Sequence, residues 1–422
     1  METIMEAVHL MEAKQTEKAI QLLEGYLPTA DPEEKYTIAE LYMQWGFLQE
    51  ASEILDELLQ LYPEESELKI TLADIYIELE KDEYAIELLN EVKEDDEAYV
   101  QVLIQLADLY QAQGLFEVAE QKLLNAKQVA PNEPIIDFAL AELLFSIGEY
   151  RGATTYYDKV ASMDIKELAN VSIDDRRAES LAASGEYEKA LEIYQGQEME
   201  NSDSLFKYGV TANQADRKDI AIKAWERVVE TDPYYHTVYQ KLAGAYEEEG
   251  LEKEAYETAI KGLKNDEFNK ELYFMAGQLA HKLDKNDESE KWMREAVAID
   301  PDYKEGVLFL IELLKNNENF KGIIELVGEI KSIGASDPLY EWELARAYNE
   351  AELYKDALNH YKEAYNSLNQ DSDFMKEYGY FLTEEGRVQE AIPVLESYMA
   401  QQPLDDDVEG FLSRLKQANT EA

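Results

Sequence analysis

Alanine returns every 34 residues in the first part of this chain, at Ala51, Ala85, Ala119 and Ala153. The beat slips at Ala190 and Ala221 and returns at Ala255. Ser289 then holds the place, the signal blurs near Gly322, and Ala357 and Ala391 restore it; Ala19 opens the series two residues off the beat. A fixed period between about 20 and 50 residues marks stacked supersecondary units, and about 34 is the length of a helix–turn–helix unit. A single unit cannot bury its apolar face without a neighbour. The period therefore predicts an all-α solenoid of about twelve helix pairs without a β-strand.

The other positions of the unit support this reading. Twelve residues before the alanine stands a second small residue, as in Ala7, Ala39, Ala73, Ala107, Ala141, Ala178, Gly209, Ala243, Gly277, Ala345 and Gly379. Small residues let two helices approach, and larger neighbours fill the remaining space. Four residues after the alanine comes a large side chain such as Leu55, Leu89, Leu123, Tyr157, Trp225 or Met293. Five residues before it, Gly46, Gly114, Gly148, Gly185, Gly250 and Gly386 suit a turn with positive φ. Pro63, Pro131, Pro233, Pro301 and Pro403 close units, because proline cannot continue a helix.

The segment 36–63, YTIAELYMQWGFLQEASEILDELLQLYP, resembles a tetratricopeptide repeat (TPR). Ala39, Tyr42, Gly46, Ala51, Leu55 and Pro63 fall on that family's signature positions. The chain is also similar to cytoplasmic repeat proteins of Bacillus-type bacteria. The resemblance covers nearly all of the chain. It implies a right-handed superhelix whose first helices line a concave groove that holds a peptide or partner helix. In this family the residue directly after the first small residue points into the groove. Here that residue is Glu40, Asp74, Asp108, Glu142 and Glu179 in successive units. Four residues earlier on the same helix face stand Tyr36, Ile70, Ile104 and Phe138, and three residues later Met43, Ile77 and Phe145. These residues are the candidate partner-binding groove.

Two readings of this ladder stand. Carboxylates roughly 10 Å apart in water repel by only about 0.4 kcal/mol, so the ladder can persist as a solvated lining. Alternatively it binds a basic, partly apolar segment, with Lys or Arg on the carboxylates and apolar side chains between them. Repeats of this family that grip acidic chaperone tails use a clamp of lysine, asparagine and arginine. Acids occupy those places here, and Lys376 alone makes no clamp.

Spacing divides the chain into an N-terminal block over 1–161, an irregular repeat and possible hinge over 162–202, a C-terminal block over 203–402 and a capping helix over 403–418. The step from Ala153 to Ala190 is three residues too long and the next three too short. The insertion is either drift in loop length or a hinge. After Pro403, Val408, Phe411, Leu412 and Leu415 share one helical face, as a cap on the last repeat requires. The run Asp405, Asp406, Asp407 suits that helix's N-terminus. At the other end, Ile4, Met5, Val8 and Met11 are consumed by packing or form a weak homodimer surface.

Composition narrows the function. A net charge of −52 excludes a general nucleic-acid binder. No stretch approaches the roughly 18 apolar residues of a membrane span, and no secretory signal opens the chain. With no cysteine, disulfides and thiolate chemistry are excluded, as a cytoplasmic location would suit. His9, His236, His281 and His360 lie in different repeats, without the i, i+4 spacing of a zinc site. Neither a phosphate loop nor a nucleophile elbow is present. The expectation is a cytoplasmic, non-enzymatic scaffold or adaptor without cofactor or metal. The alternative is a peptide-sensing regulator whose superhelix changes pitch. Repeats that begin almost at Met1 favour the scaffold.

Overall fold

A computed structural model describes residues 1–197, 199 and 201–421. The chain forms two compact units, Met1–Met199 and Glu200–Ala422. The first holds six helix pairs: α1 (Glu2–Glu12) with α2 (Thr16–Tyr26), α3 (Pro32–Gln44) with α4 (Leu48–Leu61), α5 (Ser66–Glu78) with α6 (Asp82–Asn90), α7 (Tyr99–Ala112) with α8 (Phe116–Val129), α9 (Pro134–Ser146) with α10 (Tyr150–Ala161), and α11 (Ile173–Ala183) with α12 (Tyr187–Gln195). The second also holds six: α13 (Ser202–Gln214) with α14 (Lys218–Thr231), α15 (His236–Glu248) with α16 (Glu252–Leu263), α17 (Lys270–Lys282) with α18 (Asn286–Ile299), α19 (Lys304–Asn316) with α20 (Phe320–Ser332), α21 (Pro338–Glu350) with α22 (Tyr354–Leu368), and α23 (Ser372–Glu384) with α24 (Val388–Gln401). A last helix, α25 (Asp406–Glu421), follows. This is an all-α repeat solenoid of twelve pairs among the described residues.

Every pair turns on one residue of positive φ. Gly46, Gly114, Gly148, Gly185, Gly250 and Gly386 hold it in half of the pairs. Lys14, Glu80, Asp216, Asp284, Glu318 and Glu352 hold it in the others, at φ between 54° and 59°. The local geometry repeats: Glu80 N–H donates to the Ile77 carbonyl and Lys81 N–H to the Tyr76 carbonyl, closing the end of α5. The alanine and the small residue twelve before it are buried in each regular pair, as Ala107 and Ala119 are between α7 and α8.

The same turn fixes the register where the sequence blurs. Glu318 lies five residues before Ile323, so Ile323 and not Gly322 holds the alanine place, and Ile311 holds the small-residue place twelve before it. Both are about 1% exposed. The α19/α20 pair persists because two isoleucines, with Leu310, Leu314 and Val327, fill its interior.

One expectation is corrected: β-structure is present. The long step around Ala153–Ala190 contains two-residue strands, β1 (Glu167–Leu168) and β2 (Val171–Ser172), paired antiparallel. Ala169 and Asn170 between them both have positive φ, as a two-residue hairpin turn requires. The insertion is held down because Ile165, Leu168 and Val171 pack on the core of α9 and α10. So short a hairpin is marginal by itself, and an alanine in the left-handed region costs about 1–2 kcal/mol. Amides of residues 164–172 are expected to exchange at least about tenfold faster than those inside α10 and α11. Equal protection across the three segments would mean that the hairpin opens only with the whole unit.

The final helix covers the last repeat. Val408 is fully buried and Leu412 6% exposed, with Phe411 and Leu415 packed on the same cluster as α23 and α24. Asp405 caps it by accepting from the Val408 N–H at 3.2 Å.

Candidate functional site

The first helices of the N-terminal unit build one continuous face. On α3, Tyr36, Glu40 and Met43 follow at i, i+4 and i+7; on α5 so do Ile70, Asp74 and Ile77. Hydrogen bonds join successive helices along this strip. The Tyr36 hydroxyl lies 3.2 Å from Thr71 Oγ1, and Gln105 on α7 donates to Asp74 on α5. Helix α7 also touches α9, and Arg176 on α11 reaches Glu142 on α9.

The five carboxylates are not equivalent. Glu40 and Asp108 are exposed, and neither makes a hydrogen bond or ion pair among the described residues. Asp74 is half-buried. Burial raises its carboxyl above the ordinary aspartate value, against the opposing bond from Gln105. Burial also raises Asp108, whose outer edge stays open to water. Glu142 and Glu179 are engaged within the chain. Arg176 Nη2 donates to Glu142 Oε2 and Nη1 to Glu179 Oε2, both at 3.1 Å, and the Tyr157 hydroxyl donates to Glu142 at 2.5 Å. The guanidinium lies 5.0 Å from the centre of the Phe145 ring. The carboxylates of this strip that no cation among the described residues pairs are therefore Glu40, Asp74 and Asp108, of which Asp74 accepts from Gln105.

The apolar members differ as well. Met43, Ile70, Ile77 and Ile104 are partly buried and border the acids. Phe138 is only 7% exposed and packs edge-on against Tyr157, 6.3 Å between centroids. It supports the face from behind. At the N-terminal edge Ile4 enters the core, Val8 and Met11 are partly buried, and Met5 stands exposed.

A second constellation, in the C-terminal unit, escaped the sequence reading. Arg346 on α21 forks onto Glu377 on α23, with Nη2 at 2.6 Å and Nε at 2.9 Å from its oxygens. Its Nη1 donates to Glu343 at 2.6 Å, and its guanidinium lies 4.0 Å from the Trp342 ring centre. Trp342 Nε1 and the Tyr361 hydroxyl each donate to Glu377 at 2.8 Å. Burial pulls the Glu377 carboxyl up, but Arg346 and these donors outweigh it and leave it lowered. A signal was present in the sequence. The residue two before a small residue meets the residue one after the small residue of the preceding pair: Gln105 with Asp74, Arg176 with Glu142, Glu377 with Arg346. The last of these reverses the charges of the second.

One group among the described residues is spaced to hold a metal: Glu341, His360 and Glu363. The Lys331 ammonium already bridges its two carboxylates, and His360 stacks on Tyr348 at 5.1 Å. Lys376 is likewise engaged, 2.7 Å from Asp405. No helix among the described residues is long and apolar enough to cross a membrane.

Family models for YpiA-like tetratricopeptide repeats match residues 111–165 and, as the C-terminal repeats of that group, 338–405. A general tetratricopeptide-repeat model matches 270–303, and the ARM-repeat model of tetratricopeptide repeat protein 21 matches 2–114. The TPR repeat-containing protein YpiA of Bacillus subtilis is 40% identical over 415 residues, 98% of each chain. The Hsp70-Hsp90 organising protein of Plasmodium falciparum is 27% identical over 139 residues, 33% of this chain and 54% of that one. Among solved structures, the C-terminal part of a TPR repeat-containing protein from Cytophaga hutchinsonii aligns with a TM-score of 0.44 at 16% identity, covering 65% of this chain and 98% of that one.

Proposed function

Because this chain belongs to the tetratricopeptide-repeat family of YpiA-like proteins, we propose that it is a non-enzymatic interaction scaffold that holds a basic, partly apolar segment on the first-helix face of its N-terminal unit. One observation carries the reading: Glu40, Asp74 and Asp108 keep charge that no cation among the described residues neutralises, beside Ile70, Ile77 and Ile104. Two of the three acids are raised by burial. Their charged forms are thus held at a cost, and an arriving ammonium or guanidinium relieves it. A helix with Lys or Arg along one stripe and leucines beside it meets both demands. The scaffold works in the cytoplasm, and Met5 offers a weak contact between copies.

The test uses a labelled amphipathic leucine–lysine peptide and the full chain. Reversing Glu40, Asp74 and Asp108 to lysine is expected to weaken binding by more than about tenfold and to flatten its salt dependence. Reversing Glu83, Glu87 and Glu117, exposed on the second helices α6 and α8, changes the total charge equally and should leave most affinity intact. Equal losses from the two triple variants would reduce the face to bulk negative charge. The pH dependence has a definite sign. A cation binds the charged carboxylates, and both aspartates sit above the ordinary 3.8. Binding should therefore start to fail, as pH falls, at a pH above 3.8.

A further inference from the structure

We propose that the cavity beside Arg346 in the C-terminal unit is a separate site that takes the guanidinium of an arginine on a partner peptide. The cavity measures 430 Å³ and opens among α19, α20, α21, α22 and α23. That volume lies within the roughly 300–1,000 Å³ of ordinary ligand pockets. Its apolar wall comes from Phe320, Tyr380 and Phe381. Its charge is unbalanced: Glu343, Glu350, Glu377 and Glu384 face only Lys315 and Arg346.

The imbalance lies at the mouth. Arg346 is shared between Glu343 and Glu377, whereas Glu350 and Glu384 are exposed and make no hydrogen bond or ion pair among the described residues. They are the last residues of α21 and α23. A helix C-terminus carries partial negative charge, so a carboxylate there is disfavoured until a cation joins it. Further in, Glu343 Oε2 is buried without a hydrogen-bond donor among the described residues, and Lys315 Nζ is 4.0 Å away. The inner carboxylates are thus met by Arg346 and Lys315, and the unbalanced negative charge is that of the rim.

The chain builds such places for its own cations, with Lys270 over Tyr303 between Glu271 and Asp300 and with two arginines in a stricter geometry. Twice it sets its own guanidinium over an aromatic ring between two glutamates: Arg176 over Phe145 with Glu142 and Glu179, and Arg346 over Trp342 with Glu343 and Glu377. The cavity mouth offers the same parts, with Tyr380 as the ring and Glu350 and Glu384 as acids. A planar fork can donate two parallel bonds to one carboxylate and stack flat on a ring, a fixed geometry that a compact ammonium does not offer.

The inference does not depend on the N-terminal face, and the experiment separates the two. Capped, labelled nonapeptides with one central arginine, lysine or citrulline are titrated into the full chain at one salt concentration. The arginine peptide is expected to bind about tenfold more tightly than the lysine peptide of equal charge, and citrulline to bind weakest. Glu350→Gln with Glu384→Gln removes two of a net 52 negative charges and should cost the arginine peptide about tenfold. Circular dichroism of this exposed pair of substitutions should show an unchanged fold. Glu40→Gln with Asp108→Asn should leave the arginine peptide unaffected while weakening the leucine–lysine probe. Equal affinity for arginine and lysine, unchanged binding in the Glu350/Glu384 variant, or loss only in the Glu40/Asp108 variant would each overturn the proposal.

Discussion

Replacing Lys127 by methionine is expected to destabilise the N-terminal unit by about 3–5 kcal/mol, the cost of leaving a buried charge without its partner. The charge is Asp137 on α9, whose side chain is only 1% exposed. Its one strong contact is Lys127 at the end of α8; the other oxygen, Oδ1, has no hydrogen-bond donor among the described residues. A place in the first turn of α9 helps the carboxylate, but a helix end typically contributes only about 0.3–1 kcal/mol. Methionine keeps the length and apolar stem of the lysine, so the loss isolates the charge. Removing the acid instead should be cheaper. Lys127 is 21% exposed and can turn its ammonium towards water. Asp137→Leu added to Lys127→Met should recover most of the loss, since an apolar pair often replaces a buried ion pair at little cost. Hydrogen exchange of the α8 and α9 amides, read across the double-mutant cycle, measures the coupling directly. A Lys127→Met variant that loses less than about 1 kcal/mol would show that water reaches Asp137.

Features set by packing inside one helix pair were legible in the sequence. The alanine, the small residue before it and the large residue after it meet within a single unit, so their constraint repeats with the unit. Ala39 precedes Leu55 by 16 residues, and Gly209 precedes Trp225 by the same step. Features set between units were much less legible. Arg346 stands where the acidic series ends and Arg176 lies off that series, and nothing in the period says how far either guanidinium reaches towards the neighbouring pair. Asp137 stands in the first turn of α9, and nothing in the period says that it is buried against Lys127 of the preceding pair. The beat blurs near Gly322 because the two small-residue places of that pair are held by isoleucines, Ile311 and Ile323, which fill the interface instead. The hairpin at 167–172 was hidden for a different reason: its strands are two residues long and carry no alternation of their own.

The 16-residue step yields an ordered series of glycine-to-alanine changes. At Gly209 a new Cβ would lie 2.3 Å from Trp225 Nε1. That indole is 1% exposed, and its Nε1 donates to the Phe206 carbonyl at 3.2 Å, so it has little room to turn away. Overpacking costs about 1–3 kcal/mol and a strained hydrogen bond about 1 more. Helix propensity returns about 0.8–1 kcal/mol. Gly209→Ala should thus lose roughly 1–3 kcal/mol net. At Gly379 the Cβ would meet the Leu395 Cδ2 at 2.4 Å, a smaller side chain with another rotamer open to it. At Gly277 the closest atom is the Met293 methyl, 2.6 Å away, at the tip of an unbranched and adaptable chain, so the change should be nearly neutral. Gly244 lies inside α15 with nothing within 4 Å, and Gly244→Ala should stabilise by about 0.5–1 kcal/mol. Stability should therefore fall in the order Gly244, Gly277, Gly379, Gly209. The chain also supplies the rescue, since Ala39, Ala73 and Ala107 each face a leucine 16 residues on. Trp225→Leu combined with Gly209→Ala should lose clearly less than the two single changes added together. Thermal unfolding of the six variants decides it: if Gly209→Ala is no worse than Gly277→Ala, the indole moves freely and does not set the size of its neighbour.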